Sequence, residues 1–492
     1  MNISIDKLAA QLFYDSNNPL LFNSSFFMYF FLFFFVAYFF TYKVISIRLV
    51  VVVVFSFYFI YKACGLYLFF LLLAAVIDFN LSNFIYATSK QSTRKLLLVI
   101  SILLNLGLLF YFKYTNFFIE IINDIQGGSI EPFNLILPIG ISFYTFENLS
   151  YTIDVYQNKF KPVNKFIDYL FFLSFFPKLM MGPIVRASDF IPQIRKEINL
   201  SDKDVATGFF LILTGLFKKV VISDFIYANI VSFVFEAPGR YTGLECLIAV
   251  YGYALVIYCD FSGYSDMAIG IARWMGLTID KNFEAPYQSS NITIFWRKWH
   301  ISLSNWLRDY LYIPLGGNRK GKVRTYLNLL FTMILGGLWH GASWNFVLWG
   351  FMHGVALAVH KFFTGKNRAD ESLSGSGVKK FFGIVLTFHF VCFIWIFFKC
   401  ITLDDSLLMV HQIFMNFHIE TLSEFLPHYR NVILVILLGY VLHFLPLKLN
   451  DKIIQMVSST GWLWKGIVAV LVLMWIAYFK QAEPIMPVYL QF

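Results

Sequence analysis

The chain is expected to be an all-α polytopic membrane protein, with about eleven or twelve transmembrane helices and re-entrant or interfacial helices between them. Two observations carry this. Of its 492 residues, 58% are hydrophobic and only 14% are charged, whereas soluble domains carry about 25% charged residues. A soluble fold of this length has too little polar surface to hide so much Phe, Leu, Ile and Tyr, so lipid must be the solvent for much of it. The apolar residues also recur as long runs with short polar breaks.

The runs fall near 24–42, 46–61, 65–86, 96–118, 135–156, 166–182, 205–235, 245–275, 325–340, 342–361, 381–400, 432–447 and 462–479. A full crossing takes roughly 20 apolar residues, so some are expected to tilt, re-enter or pair. The first run, FFMYFFLFFFVAYFF, lacks a small-residue cleavage site and reads as a retained anchor rather than a signal peptide. Basic loops follow the first, third and fifth runs, at Lys43 and Arg48, at Lys90, Arg94 and Lys95, and at Lys159, Lys161 and Lys165; an acidic loop around Glu120, Asp124 and Glu131 follows the fourth. That alternation puts the basic loops in the cytoplasm and the N-terminus outside. Residues 362–380, with KNRADESLSGSG, read as a flexible cytoplasmic loop. Helices over 381–492 follow, within one multi-spanning domain covering 1–492.

The net charge of +10 is explained by these loops, and no basic stripe or docking module points to nucleic acid. The five cysteines lie in or near apolar segments without a CxxC pair, which argues for packed thiols rather than a metal or disulfide framework. No internal repeat appears, against a transporter built from two similar halves.

Chemistry concentrates in WRKWHISLSNWLRDY and LGGLWHGASWNFVLWG, which set His300 and His340 among tryptophans. An ionisable ring near lipid is costly unless paired or useful, and histidine is the side chain best suited to move a proton near neutral pH. Read as one helix, 295–312 aligns Trp296, Trp299, His300, Leu303, Leu307 and Tyr310 on one face, with Arg297, Ser304 and Arg308 on another. Such a helix would lie at the cytoplasmic interface. There His300 is either a structural imidazole or a ring that helps hold substrate. The GNRKGK that follows has the wrong spacing for a phosphate loop.

The run from Tyr326 then climbs away from the cytoplasm, taking His340 to mid-membrane or beyond. Gly336 and Gly337 permit a close approach, and Trp339 and Trp344 are expected to wall the site. Apolar surroundings would keep His340 neutral and able to accept a proton. Gly350 and Gly354 form a small-xxx-small contact beside His353, which with His360 reads as interhelical or interfacial. No HExxH-type spacing occurs, so no metal site is expected. Asp260 and Asp266, read as flanking a Ser-Gly-Tyr-Ser turn, either pair with Arg308 or another base or orient a catalytic imidazole. Glu147 poses the same question, and Lys178 and Arg186 surround a Gly-Pro break that reads as a broken helix.

At these residues the chain resembles the membrane-bound O-acyltransferases, in the branch of the alginate and peptidoglycan O-acetylation subunits. LPIGISFYTFENLSYTIDVY, FPKLMMGPIVR, YCDFSGYSDMAIGIA, FWRKWHISLSNWLRDYLYIPLGGNRKG and TYLNLLFTMILGGLWHGASWNFVLWGFMHG match in order over about 137–354, and the closing Tyr-Leu-Gln-Phe is similar too. The resemblance implies a ring of helices around a central tunnel, with both histidines inside. It implies His340 as the catalytic histidine and His300 as the second motif histidine. Asp260 and Asp266 match acidic positions of the motif. The teichoic acid D-alanyl transfer protein is a relative with the same WH motifs, but YIPLGGNRKG looks more like the acetyltransferase branch.

The resemblance implies a multi-pass protein of the bacterial cytoplasmic membrane. No cofactor is expected to be bound; acetyl-CoA or another acyl thioester is the donor substrate, entering from the basic face. His340 is the expected general base on an acceptor hydroxyl, with Trp339 and Asn345 positioning groups and Trp299 and Arg308 near the substrate path. The expected partners are an extracytoplasmic acetyltransferase, a polysaccharide acceptor and membrane lipids. Acylation of a lysophospholipid or lipid-linked sugar, D-alanyl transfer, and a transporter or flippase remain alternatives.

Overall fold

In lipid a spanning segment must satisfy its own backbone hydrogen bonds, and long apolar runs do this as helices. A computed structural model describes residues 11–15, 19–22, 24–135, 137–365, 377–481 and 485–488. Helix dominates these residues, and no β-strand appears among them. Most of the 362–380 loop and the closing Tyr-Leu-Gln-Phe lie outside the described residues. The chain divides into two compact units, Met1–Asp204 with Ile271–Asp280, and Val205–Gly270 with Lys281–Phe492.

The first unit holds α1 (Ser25–Thr41), α2 (Ile45–Cys64), α3 (Leu68–Ala87), α4 (Gln91–Lys113), α5 (Thr115–Gln126), α6 (Ile141–Tyr156) and α7 (Phe166–Ser174). The Ser24 side chain caps α1 by accepting from the Phe27 N–H. Helices α1 and α2 join through aromatic rings, Phe30 stacking on Phe55 at 3.8 Å and Phe34 lying 4.5 Å from Phe55. Polar residues hold α3, α4, α6 and α7. Asp78 accepts from Ser101 and Asn105, Asn105 accepts from Asn148, and Asn148 accepts from the Tyr169 hydroxyl. Glu147, on α6, pairs in the interior with Lys178 and accepts from the Val185 N–H. That pair ties down the broken segment around the Gly-Pro step, so both charges are structural partners.

The second unit holds most of α8 (Asp202–Leu216) and α9 (Gly243–Trp274). It continues through α10 (Ile292–Lys298), α11 (Ile301–Leu307), α12 (Lys322–His340), α13 (Trp344–Thr364), α14 (Gly377–Lys399), α15 (Leu403–Met415), α16 (Leu422–His428), α17 (Arg430–Phe444), α18 (Lys448–Ser459) and α19 (Trp462–Phe479). After Leu216 the helix passes into π-helical turns at Phe217–Asp224 and Tyr227–Val231. Helix α9 is continuous through Asp260–Asp266, which corrects the expected Ser-Gly-Tyr-Ser turn. Gly263 lets it run against the backbone of Gly215.

Six helices among the described residues are long and apolar enough to cross a membrane, or seven if the bent pair Ile419–His428 and Arg430–Phe444 is one span. The run Ile45–Ala87 counts once there, although Gly65–Tyr67 divides it into α2 and α3 of 20 residues each. Phe26–Thr41 and Leu463–Phe479 are shorter apolar helices. Other apolar runs of the sequence form shorter helices such as α6 and α7.

Candidate functional site

Helices α12 and α13 form a close hairpin that carries His340 at its turn. A Cβ on Gly337 would lie 2.2 Å from the Phe346 carbonyl, and one on Gly350 would lie 2.3 Å from that of Met333. Only glycine allows this contact, as the sequence suggested for Gly337, Gly350 and Gly354. His340 is the last residue of α12, and Gly341 follows in an extended conformation. A Cβ on Gly341 would fall 1.9 Å from the Phe346 ring, so the chain leaves the helix beneath that ring.

His340 is buried, and three aromatic rings meet its imidazole edge to face. Trp339 lies 4.9 Å away, Trp349 5.2 Å and Phe398 5.2 Å between centroids. The expected wall at Trp344 is corrected, because that ring is 57% exposed. The first turn of α13 points it outward, and Trp349 supplies the wall from one turn further on.

His300 does not lie within a continuous helix. The expected helix over 295–312 breaks into α10 and α11, with His300 between them at φ +42°. The break is imposed by Asn282. Its backbone carbonyl accepts from the Ile301 N–H, and its Oδ1 accepts from both the N–H and the hydroxyl of Ser302. The His300 Nδ1 is 3.3 Å from the same oxygen. An oxygen already accepting from Ser302 makes Nδ1 the donor and Nε2 the acceptor nitrogen of the ring. His300 is fully buried, edge-on to Phe261 at 4.6 Å. That burial pushes its imidazole pKa well below the ordinary value and keeps it neutral.

Trp339 links the histidines, with its ring 6.1 Å from His300 and 4.9 Å from His340. Trp349 similarly links His340 to His353, which lies 4.7 Å from it. The Trp296 indole donates to His353 Nδ1 at 3.2 Å, making His353 an interhelical tie. Trp299 is buried in the same aromatic block, stacked on Phe295 and beside Trp395. Asn345 donates to the carbonyls of Cys400 and Thr402, joining α13 to the end of α14. Its amide nitrogen therefore serves the scaffold.

The carboxylates belong to a different cluster. Lys219 bridges Asp224 and Asp260 at 2.7 Å each, and Lys218 pairs with Asp266 at 2.6 Å. Asp260 also accepts from the Val488 N–H. The expected partner Arg308 is instead bound to Asp309 beside it and largely exposed, because the π-helical turn 308–312 carries it outward. The acids thus brace the π-helical turn Phe217–Asp224 against α9. Asn282, Trp349 and Phe398 were missed as site residues, as were Lys218, Lys219 and Asp224. Two adjacent lysines in a long apolar run were the available signal for the ion cluster. Asn282 and Phe398 had none beyond composition.

Chemically, the region offers two buried imidazoles sharing a tryptophan, inside an aromatic enclosure. Such surroundings strengthen electrostatic effects and suit proton transfer to or from a bound hydroxyl. Among the described residues, no three His, Cys, Asp or Glu side chains cluster as metal ligands.

The model of the MBOAT, membrane-bound O-acyltransferase, family matches residues 163–403, a span containing both histidines. The peptidoglycan O-acetyltransferase of Helicobacter pylori is 37% identical over 349 residues, which are 66% of this chain and 65% of that protein. A probable alginate O-acetylase of Pseudomonas aeruginosa is 41% identical over 331 residues, 66% of this chain and 62% of that protein. The match therefore spans somewhat less than two thirds of these two relatives. The teichoic acid D-alanyltransferase of Bacillus subtilis is 31% identical over 275 residues, 53% of this chain and 68% of that protein.

Proposed function

The chain belongs to the membrane-bound O-acyltransferase family, and on that premise we propose that it is an O-acyltransferase acting on an envelope polysaccharide or cell-wall glycan, with His340 as general base. The observation that carries this reading is the enclosure of His340 by Trp339, Trp349 and Phe398, with Trp339 also touching His300. Acetyl is the group favoured, because relatives at 37% and 41% identity are named for O-acetylation.

In this scheme His340 takes the proton of an acceptor hydroxyl as its oxygen attacks the carbonyl carbon of an acyl thioester. The C–O bond forms, the C–S bond breaks, and the thiolate leaves and recovers the proton from the imidazolium. His300, held by Asn282 with Nε2 as acceptor, helps hold the reacting groups across Trp339. Acetyl-CoA or a similar donor approaches from the basic, cytoplasmic face. A partner protein outside the membrane carries the acyl group to the final glycan. The protein then sits in the bacterial cytoplasmic membrane with its N-terminus outside.

D-alanyl transfer is the second reading, favoured by the Bacillus subtilis relative. Mass spectrometry of envelope glycans and lipids from a deletion strain tests the proposal. Loss of O-acetyl groups from one glycan supports it. Loss of D-alanyl esters selects the second reading, and an altered lipid acyl pattern with intact glycans overturns both.

A further inference from the structure

Helices α13 and α14 line an apolar cavity of about 800 Å³ in the second unit. Met352, Val355, Ala356 and Val359 of α13 face Leu386 and Phe390 of α14 across it. Its back is closed where α14 meets Ser290, since a Cβ on Gly383 would lie 2.5 Å from the Ser290 carbonyl. The two ends differ. Phe351 and Phe390 line one, while His360, Lys379 and Lys380 line the other. The lining contains two lysines and no carboxylate.

The dimensions select an occupant. From Phe351 to Phe363 the groove follows twelve residue steps of α13, roughly 18 Å at the helical rise. That is close to one leaflet of a hydrocarbon core about 30 Å thick. A partner helix crossing the membrane would need a groove spanning both leaflets. A lipid chain with its headgroup at the lysines needs only one. The basic end is also crowded: burial, with the neighbouring Lys380 and Lys281 opposing the pull of Glu284, lowers the Lys298 pKa. Two lysines in a lining that holds no carboxylate favour an anion, and basic residues beside a membrane attract anionic headgroups.

We propose that this groove is a binding site for one anionic phospholipid, its acyl chain between α13 and α14 and its phosphate at Lys379 and Lys380. The site is separate from the acyl-transfer reading and stands or falls without it. It would make a specific lipid part of the wall behind α13, the helix that carries Trp349.

Native mass spectrometry of the purified full chain, exchanged into equal phosphatidylglycerol and phosphatidylethanolamine, tests this. The wild type is expected to retain one phosphatidylglycerol in preference. Lys379→Ala with Lys380→Ala, both on exposed positions, should lower that retention roughly tenfold. Ala356→Trp, which fills the groove and leaves the charges in place, should remove retention of both lipids. Equal retention of the two lipids by the wild type overturns the proposal. So does phosphatidylglycerol retention unchanged in both variants, including the case in which a co-purifying helix rather than lipid fills the groove.

Discussion

Trp349 stands edge-on to His340, with ring centroids 5.2 Å apart and planes at 82°. The same indole is 1% exposed and stacks near Trp395, so it fixes the imidazole from the scaffold side. Trp349→Ala is expected to cost about 3–5 kcal/mol of stability, as for large core truncations. Trp349→Phe should keep most of the stability and lower transfer by letting His340 turn. Thermal unfolding in detergent, alongside transfer rates at matched protein, separates the two effects.

Gly341 carries no chemistry, yet Gly341→Ala should abolish transfer, because its Cβ would overlap the Phe346 ring. Phe346→Leu in the same chain should restore part of the activity. A double-mutant cycle reads this directly, and additive losses would show that the two residues are not coupled.

Asn282→Ala removes the oxygen that accepts from Ser302 and His300. Leaving those donors without it is expected to cost about 1–3 kcal/mol. Activity should fall further than for Ser302→Ala, in which Asn282 still holds the imidazole.

The ionic cluster should behave as a brace. Lys219→Met leaves Asp224 and Asp260 facing each other, and removing one partner of a buried pair typically costs about 3–5 kcal/mol. Lys219→Arg should retain much of that. Equal melting temperatures for wild type and Lys219→Met would exclude the structural role.

Burial lowers the His300 pKa below its ordinary value of 6.5, so the unfolded chain binds the extra proton first. Its contribution to stability is therefore complete above pH 6.5 and is lost as pH falls toward the folded value. One such proton changes stability by about 1.4 kcal/mol per pH unit. His300→Asn should flatten the decline between pH 6.5 and 5 by about that slope. An identical pH dependence in the two proteins would rule out a neutral, buried His300.

Much of this was legible from patterns that physics makes local. Apolar run length foretold the helices, and the glycines foretold the α12–α13 contact, because helices in close contact need small residues wherever they meet. The two histidines stood out because ionisable rings in apolar surroundings need a reason. What stayed hidden depends on distant partners. Nothing near His300 announces that Asn282, eighteen residues earlier, breaks the helix there. The pairing of Asp260 with Lys219 rather than Arg308 depends on how the π-helical turn Phe217–Asp224 packs on α9. The replacement of Trp344 by Trp349 follows from where α13 starts relative to the Gly341 turn.

The central claim is that His340 moves the proton in acyl transfer. The most direct measurement is acetyl transfer from labelled acetyl-CoA to envelope glycan in a deletion strain's membranes carrying either wild type or His340→Gln at equal, correctly inserted levels. The account predicts transfer with the wild type and none above background with His340→Gln. Transfer at the wild-type rate by the variant would contradict it.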